Sequence, residues 1–162
     1  MDRRIDWAIA VCASLFVAVL AVSAYFDPTI RVLHGFEALP YVAAAVLCLR
    51  GNRFGYPLGL VSGAFWLWTA GFLTTFILNG FQRLAMLFRT GRVDRADILI
   101  AVPAAIATAG LALFSIAGYA RQPAKSFRDV LLFVTALVIV PAFFIGIMAA
   151  FAPRYLGMFR FK

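Results

Sequence analysis

Residues 127–152 read FRDVLLFVTALVIVPAFFIGIMAAFA, and from Val130 to Ala152 there is no charged residue. A helix rises 1.5 Å per residue and needs about 20 apolar residues to cross the roughly 30 Å hydrocarbon core of a bilayer. This stretch is therefore long enough to span. It lacks the in–out alternation of a barrel strand, which leaves the α-helix as the form that satisfies its own backbone in lipid.

Outward from it, four further apolar segments lie at about 7–26, 30–49, 55–80 and 98–120. Composition points the same way: 64% of residues are hydrophobic against roughly 45–50% in soluble domains, and 14% are charged against about 25%. So few charges do not cover that much apolar surface in water. The sequence thus predicts an all-α fold, one polytopic transmembrane helical bundle over residues 1–162 with five apolar helices. Trp7 to Phe26 outlasts the ~7–15 apolar residues of a secretory signal, so this segment is expected as a retained span.

Asp27-Pro28 reads as a helix cap followed by a first-turn proline, Gly51 as a C-cap, and Ser126 with Asp129 as a capping box. Segment two is the least regular, carrying Arg31, His34, Glu37 and Pro40. Proline lacks a donor and clashes with the preceding turn, so a kink or break near Gly35–Pro40 is expected. The segment either spans as a kinked helix or enters and returns, leaving four spans. Between the third and fourth segments, residues 81–97 place Phe81, Leu84, Ala85 and Phe88 on one face, as in an interfacial amphipathic helix.

The net charge is +8, with the basic residues gathered at the segment ends, where they meet phosphate headgroups. Nucleic-acid binding needs a basic polar face, and no segment offers one. With five spans, seven basic residues fall on the side of Arg3 and Arg4 and eight on the other; with four, the split is nine to six, because Arg83, Arg89, Arg92, Arg95, Arg154, Arg160 and Lys162 join Arg3 and Arg4, and Arg50, Arg53, Arg121, Lys125 and Arg128 move opposite. Arg3 and Arg4 favour a cytoplasmic N-terminus. The excess of Arg over Lys, with abundant Ala, suggests a bacterial cytoplasmic membrane. Cys12 and Cys48 are too far apart for a CxxC motif and read as small apolar thiols near one membrane face.

On the third segment Gly55, Gly59 and Gly63 recur every four residues. Glycine is costly within a helix, and such a stripe suits close approach by a neighbouring helix. Similar small-residue ladders are Ala101, Ala105 and Ala109, and Ala142, Gly146 and Ala150. A polar group stands apart: His34, Glu37 and Tyr41 share a helical side, and Glu37 is the only glutamate in the chain. Ionisable groups within apolar segments face cavities or partners, and an imidazole beside a carboxyl exchanges protons readily. The alternative is that His34 and Glu37 dress a helix end at headgroup depth. Trp66, in mid-segment, adds an aromatic face on which a solute ring stacks, unless it is spent on internal packing.

One histidine and two remote thiols offer no metal or haem ligand set, and no cofactor is expected. The serines lack a base close in sequence, and no phosphate-binding glycine loop occurs, so no catalytic residue is assigned. Asn52-Arg53-Phe54-Gly55-Tyr56-Pro57-Leu58-Gly59 resembles a helix opening in nicotinamide riboside transporters, over less than a tenth of the chain. Those proteins hold two three-helix units, against five segments here, and no residue role is carried over. Two functions fit these features. The first is a non-catalytic bundle acting by helix association with itself or a larger membrane complex. The second is a permease or binder for a small aromatic or cationic solute around His34, Glu37, Tyr41 and Trp66. A membrane enzyme has the least support.

Overall fold

The computed structural model describes residues 3–123 and 125–153; the terminal basic residues Arg154, Arg160 and Lys162 lie outside them. Among the described residues there is no strand. The helices are α1 (Arg3–Phe26), α2 (Arg31–Leu49), α3 (Gly55–Trp68), α4 (Phe76–Thr90), α5 (Ala96–Leu99), α6 (Ala101–Ala120) and α7 (Phe127–Phe151). A single 3-10 turn (Pro28–Ile30) precedes α2, and a π-turn (Thr69–Leu73) extends α3. Four stretches are long and apolar enough to cross a bilayer: Arg3–Phe26, Pro28–Leu49, Ala96–Ala120 and Phe127–Phe151. A fifth is reached by joining Gly55–Leu73 to Phe76–Thr90, a pair bent by 74°. The chain is an integral membrane helical bundle.

The joints follow local chemistry. Asp27 Oδ1 accepts from the Thr29 backbone N–H at 2.9 Å and leads Pro28 into the 3-10 turn. Gly51 takes a φ of 72°, which only glycine adopts cheaply, and closes the α2–α3 turn. Ser126 and Asp129 form their capping box, with Asp129 Oδ2 accepting from the Ser126 N–H at 2.8 Å.

Two expectations are corrected. α2 runs through Pro40 as one uninterrupted helix, so segment two neither breaks nor re-enters. Pro40 is buried, and the turns around it are held by packing of α2 on α1, α3 and α7, which offsets one missing hydrogen bond. The break falls in segment three, which stops at Leu73 rather than residue 80. There Thr69 Oγ1 donates to the Phe65 carbonyl at 2.8 Å, and Thr74 Oγ1 bridges the carbonyls of Thr69 and Ala70 at 3.3 Å. Hydroxyls that claim backbone acceptors compete with the helical ladder. Thr75 then adopts a left-handed φ of 53° and turns the chain into α4. The amphipathic helix therefore begins at Phe76, five residues before the expected 81.

α1, α2, α3 and α6 close a ring in which each packs on its neighbours, with α7 laid against α2 and α3, and α4 against α6. The glycine stripe of α3 faces inward along its whole length. A Cβ on Gly55 would lie 2.7 Å from the Cys48 nitrogen of α2; on Gly59, 2.6 Å from Ser115 Oγ of α6; on Gly63, 2.7 Å from the Thr108 carbonyl oxygen. Gly80 does the same for α4 against α6, where a Cβ would lie 2.8 Å from that of Ala101. Ala101 and Ala105 are buried and Ala109 half-buried, whereas Ala142 and Ala150 are exposed and Gly146 has nothing within 4 Å of a Cβ position. Cys12 meets Gly110 and Cys48 meets Gly55, on different interfaces, and both thiols are free.

The outside is as apolar as the inside. On α7 Val130, Leu131, Val134, Leu137, Val138 and Ile139 are 49–63% exposed. In water this would be an intolerable continuous patch; hydrocarbon solvates it without cost.

Gly63→Ala drives a methyl into the α6 backbone and is expected to cost about 1–3 kcal/mol. Gly146→Ala, in open space within α7, should instead stabilise by about 0.5–1 kcal/mol. Denaturant titration of each variant in mild detergent, followed by circular dichroism, measures both.

A candidate solute-binding cavity

At one end the helices part around a cavity of about 510 Å³. Its walls come from the C-terminal half of α1, the N-terminal half of α2, the π-turn, the start of α4 and α6, and the C-terminal half of α7. This is the end away from the N-terminus of α1. The π-turn is what opens it: widening α3 and turning α4 aside leaves Thr69, Ala70, Leu73, Thr74, Phe76 and Asn79 around the space instead of continuing the bundle.

His34 and Glu37 stand in the wall, each with 14% of its side chain exposed. Both side chains are half-buried. One helical turn brings His34 Nδ1 within 2.6 Å of Glu37 Oε2, and Nε2 lies 3.0 Å from Ser23 Oγ of α1. With its proton on Nδ1, the imidazole donates to the carboxylate and accepts from the serine hydroxyl. The result is a three-residue chain, Ser23–His34–Glu37, joining α1 to α2.

Trp66 also lines the cavity, edge-on to Phe16 with ring centroids 5.1 Å apart. Tyr41 does not. It is fully buried beneath the floor, 4.3 Å from the Phe16 ring, and its hydroxyl donates to the Ser62 carbonyl at 3.1 Å. Of the four residues expected to share a site, His34, Glu37 and Trp66 meet around one space, and Tyr41 supports its floor. Phe65 and Phe144, 5.2 Å apart, complete an aromatic wall.

The charge of the lining is one-sided. Glu37, Asp27 and Asp97 face the space, with His34 as the single basic side chain among the lining residues. Asp97 is held by a two-pronged contact from Arg95, Nε–Oδ1 2.9 Å and Nη2–Oδ2 2.6 Å. An aromatic box with carboxylates at its rim suits a cation carrying an apolar body. Among the described residues no three metal-ligating side chains converge.

The other end is latched. Asp6 is only 3% exposed and accepts from the Tyr56 hydroxyl at 2.8 Å; Gln122 Nε2 donates to the same hydroxyl at 3.1 Å. Gly118 makes room for the Tyr56 ring. α1, α3 and the end of α6 are thereby tied together. Arg53 adds a bond to the Pro123 carbonyl at 2.8 Å and an ion pair with Asp129 at 3.4 Å. Between latch and cavity floor, the hydroxyls of Ser62 and Ser115 are buried without a hydrogen-bond partner among the described residues. Asp6 and Tyr56 escaped the sequence reading, although Asp6 continues the buried stripe of Ile9, Ala13, Phe16 and Leu20. That spacing was the available signal.

An integral membrane bundle with an aromatic, carboxylate-bearing cavity open at one end and a hydrogen-bonded latch at the other is thus the class that the geometry defines. Comparison with family models, curated proteins and solved structures finds no match.

Tyr56→Phe removes the donor to buried Asp6 and is expected to cost about 1–3 kcal/mol. Tyr25→Phe, at a side chain 79% exposed, should be neutral. Unfolding midpoints of the two variants in the same detergent supply the check.

Proposed function

We propose that this protein binds, and carries across the membrane, a small organic cation with an aromatic or otherwise apolar body. The observation that carries the proposal is the cavity itself: Glu37 in its wall, hydrogen-bonded to His34, beside the rings of Phe16 and Trp66. A solid core with Glu37 at a helix end would have favoured association as the whole function. Glu37 serves as the counter-charge, Trp66 and Phe16 as the stacking surface, and Ser23 and His34 as the groups that hold Glu37 in place. The latch of Asp6, Tyr56 and Gln122 keeps the far end closed while the cavity is open, as alternating access requires. Arg3 and Arg4, ahead of the first span, support a cytoplasmic latched end in a bacterial inner membrane.

Ethidium, a permanent aromatic cation, is a suitable probe. Its fluorescence on binding to purified protein should weaken in affinity by at least tenfold with Glu37→Gln and by several-fold with Trp66→Ala. The anionic dye anilinonaphthalene sulfonate should bind less well than ethidium to the wild type. Wild-type affinity in both variants, or preference for the anionic dye, overturns the proposal.

Self-association stands as a second reading on one observation, the exposed ladder of Ala142, Gly146 and Ala150 on α7, with nothing within 4 Å of a Cβ position on Gly146. Gly146→Leu should then lower the dimer fraction in native mass spectra from mild detergent; a wild-type chain that is wholly monomeric removes this reading.

A further inference from the structure

The latched end carries a concavity of its own. Arg50, Asn52 and Arg53, in the turn between α2 and α3, face Ser126, Arg128 and Leu132 at the start of α7 across a notch of about 520 Å³. The turn is rigid: Gly51 supplies the left-handed residue, the Asn52 N–H donates to the Leu47 carbonyl at 2.8 Å, and Asn52 Oδ1 accepts from the Phe54 N–H at 2.9 Å. The opposite wall is rigid too, fixed by the Ser126–Asp129 capping box.

Arg53 reaches across and is engaged by Asp129 and the Pro123 carbonyl. Asp129, the one acid in the notch, is therefore spoken for. Arg50 and Arg128 remain on facing walls, both exposed, and neither pairs with a carboxylate among the described residues. Two guanidinium groups converging on one space match the several oxygens of a phosphate, which they bind in forked fashion.

What bears that phosphate follows from the surroundings. The notch lies where apolar helices end, so it sits at headgroup depth. Its floor holds Leu132, and the exposed apolar face of α7 starts beside it with Val130, Leu131 and Val134. A soluble phosphate uses only the arginines. A phospholipid uses both the arginines and the apolar apron. Nearby Arg121 and Lys125 add positive potential, which disfavours a choline headgroup and favours one with net negative charge. We infer that the notch between the α2–α3 turn and α7 is a binding site for an anionic phospholipid, its phosphate between Arg50 and Arg128 and an acyl chain along α7. This inference is independent of the cavity and of its solute.

The test is native mass spectrometry of the full chain titrated with phosphatidylglycerol or phosphatidylcholine, beside the double variant Arg50→Gln/Arg128→Gln. The wild type should retain phosphatidylglycerol at least fivefold better than phosphatidylcholine, and the variant should lose that preference. Circular dichroism melting should show the variant folded, since neither arginine side chain makes a hydrogen bond or ion pair among the described residues. Equal retention of the two lipids by the wild type, or undiminished selectivity in the variant, overturns the site. Glycerol 3-phosphate is the third arm. Failure to displace the lipid supports the lipid assignment, and displacement at equal concentration overturns it in favour of a soluble phosphate.

Discussion

Gly59 and Gly63 allow α3 to lie with its backbone against the side chains and carbonyls of α6, and the other helices take their places from that seam. In lipid there is no hydrophobic force to press helices together; close van der Waals contact does the work, and it is available only where side chains are small. Because one side of α3 is flat, its bulk is displaced to the other, where Phe65 and Trp68 lie 6.0 Å apart. α7 packs there, with Phe65 meeting Phe144. The seam stops where the glycines stop. Beyond Gly63 the helix widens, α4 swings away, and the space left over is the cavity.

Polar chemistry divides along the same axis. At the closed end Asp6, Tyr56, Gln122, Arg53 and Asp129 are spent on one another, tying together α1, the start of α3 and both ends of the α6–α7 connection. At the open end the hydrogen bond of His34 to Ser23 links α1 to α2 and leaves one carboxylate face available. The two ends therefore differ in kind: one is a joint, and the other is a receptacle. Ser62 and Ser115 lie between them in the seam, their hydroxyls buried without a hydrogen-bond partner among the described residues.

Much of this was legible in the sequence because lipid imposes simple rules. Apolar runs of spanning length announce helices, the caps at Asp27 and Ser126 lie where their side chains accept backbone hydrogen bonds, and Gly51 lies where the backbone turns left-handed. Proline misled: Pro40 signals a break in an isolated helix, but tertiary packing carried α2 through it. Threonine misled in the other direction. Thr69 and Thr74 count as neutral in an apolar run, yet their hydroxyls took the carbonyls that would have continued α3, and Thr75 turned left-handed behind them. At the site, His34 and Glu37 were visible because they are rare in such a segment. Ser23, Asp97 and Asn79 were not, since their contribution depends on how α1, α4 and α5 converge, which no local spacing encodes.

The π-turn at Thr69–Leu73 holds one residue more than an α-turn would. Were it to relax into α-geometry, the chain beyond it would advance by one residue, a rotation of about 100° around the axis of α3. Thr75, strained at its positive φ, is the neighbouring point at which such a change is absorbed most cheaply. That single extra residue therefore sets which side of α4 meets the rim, and with it the presence of Asn79 in the wall.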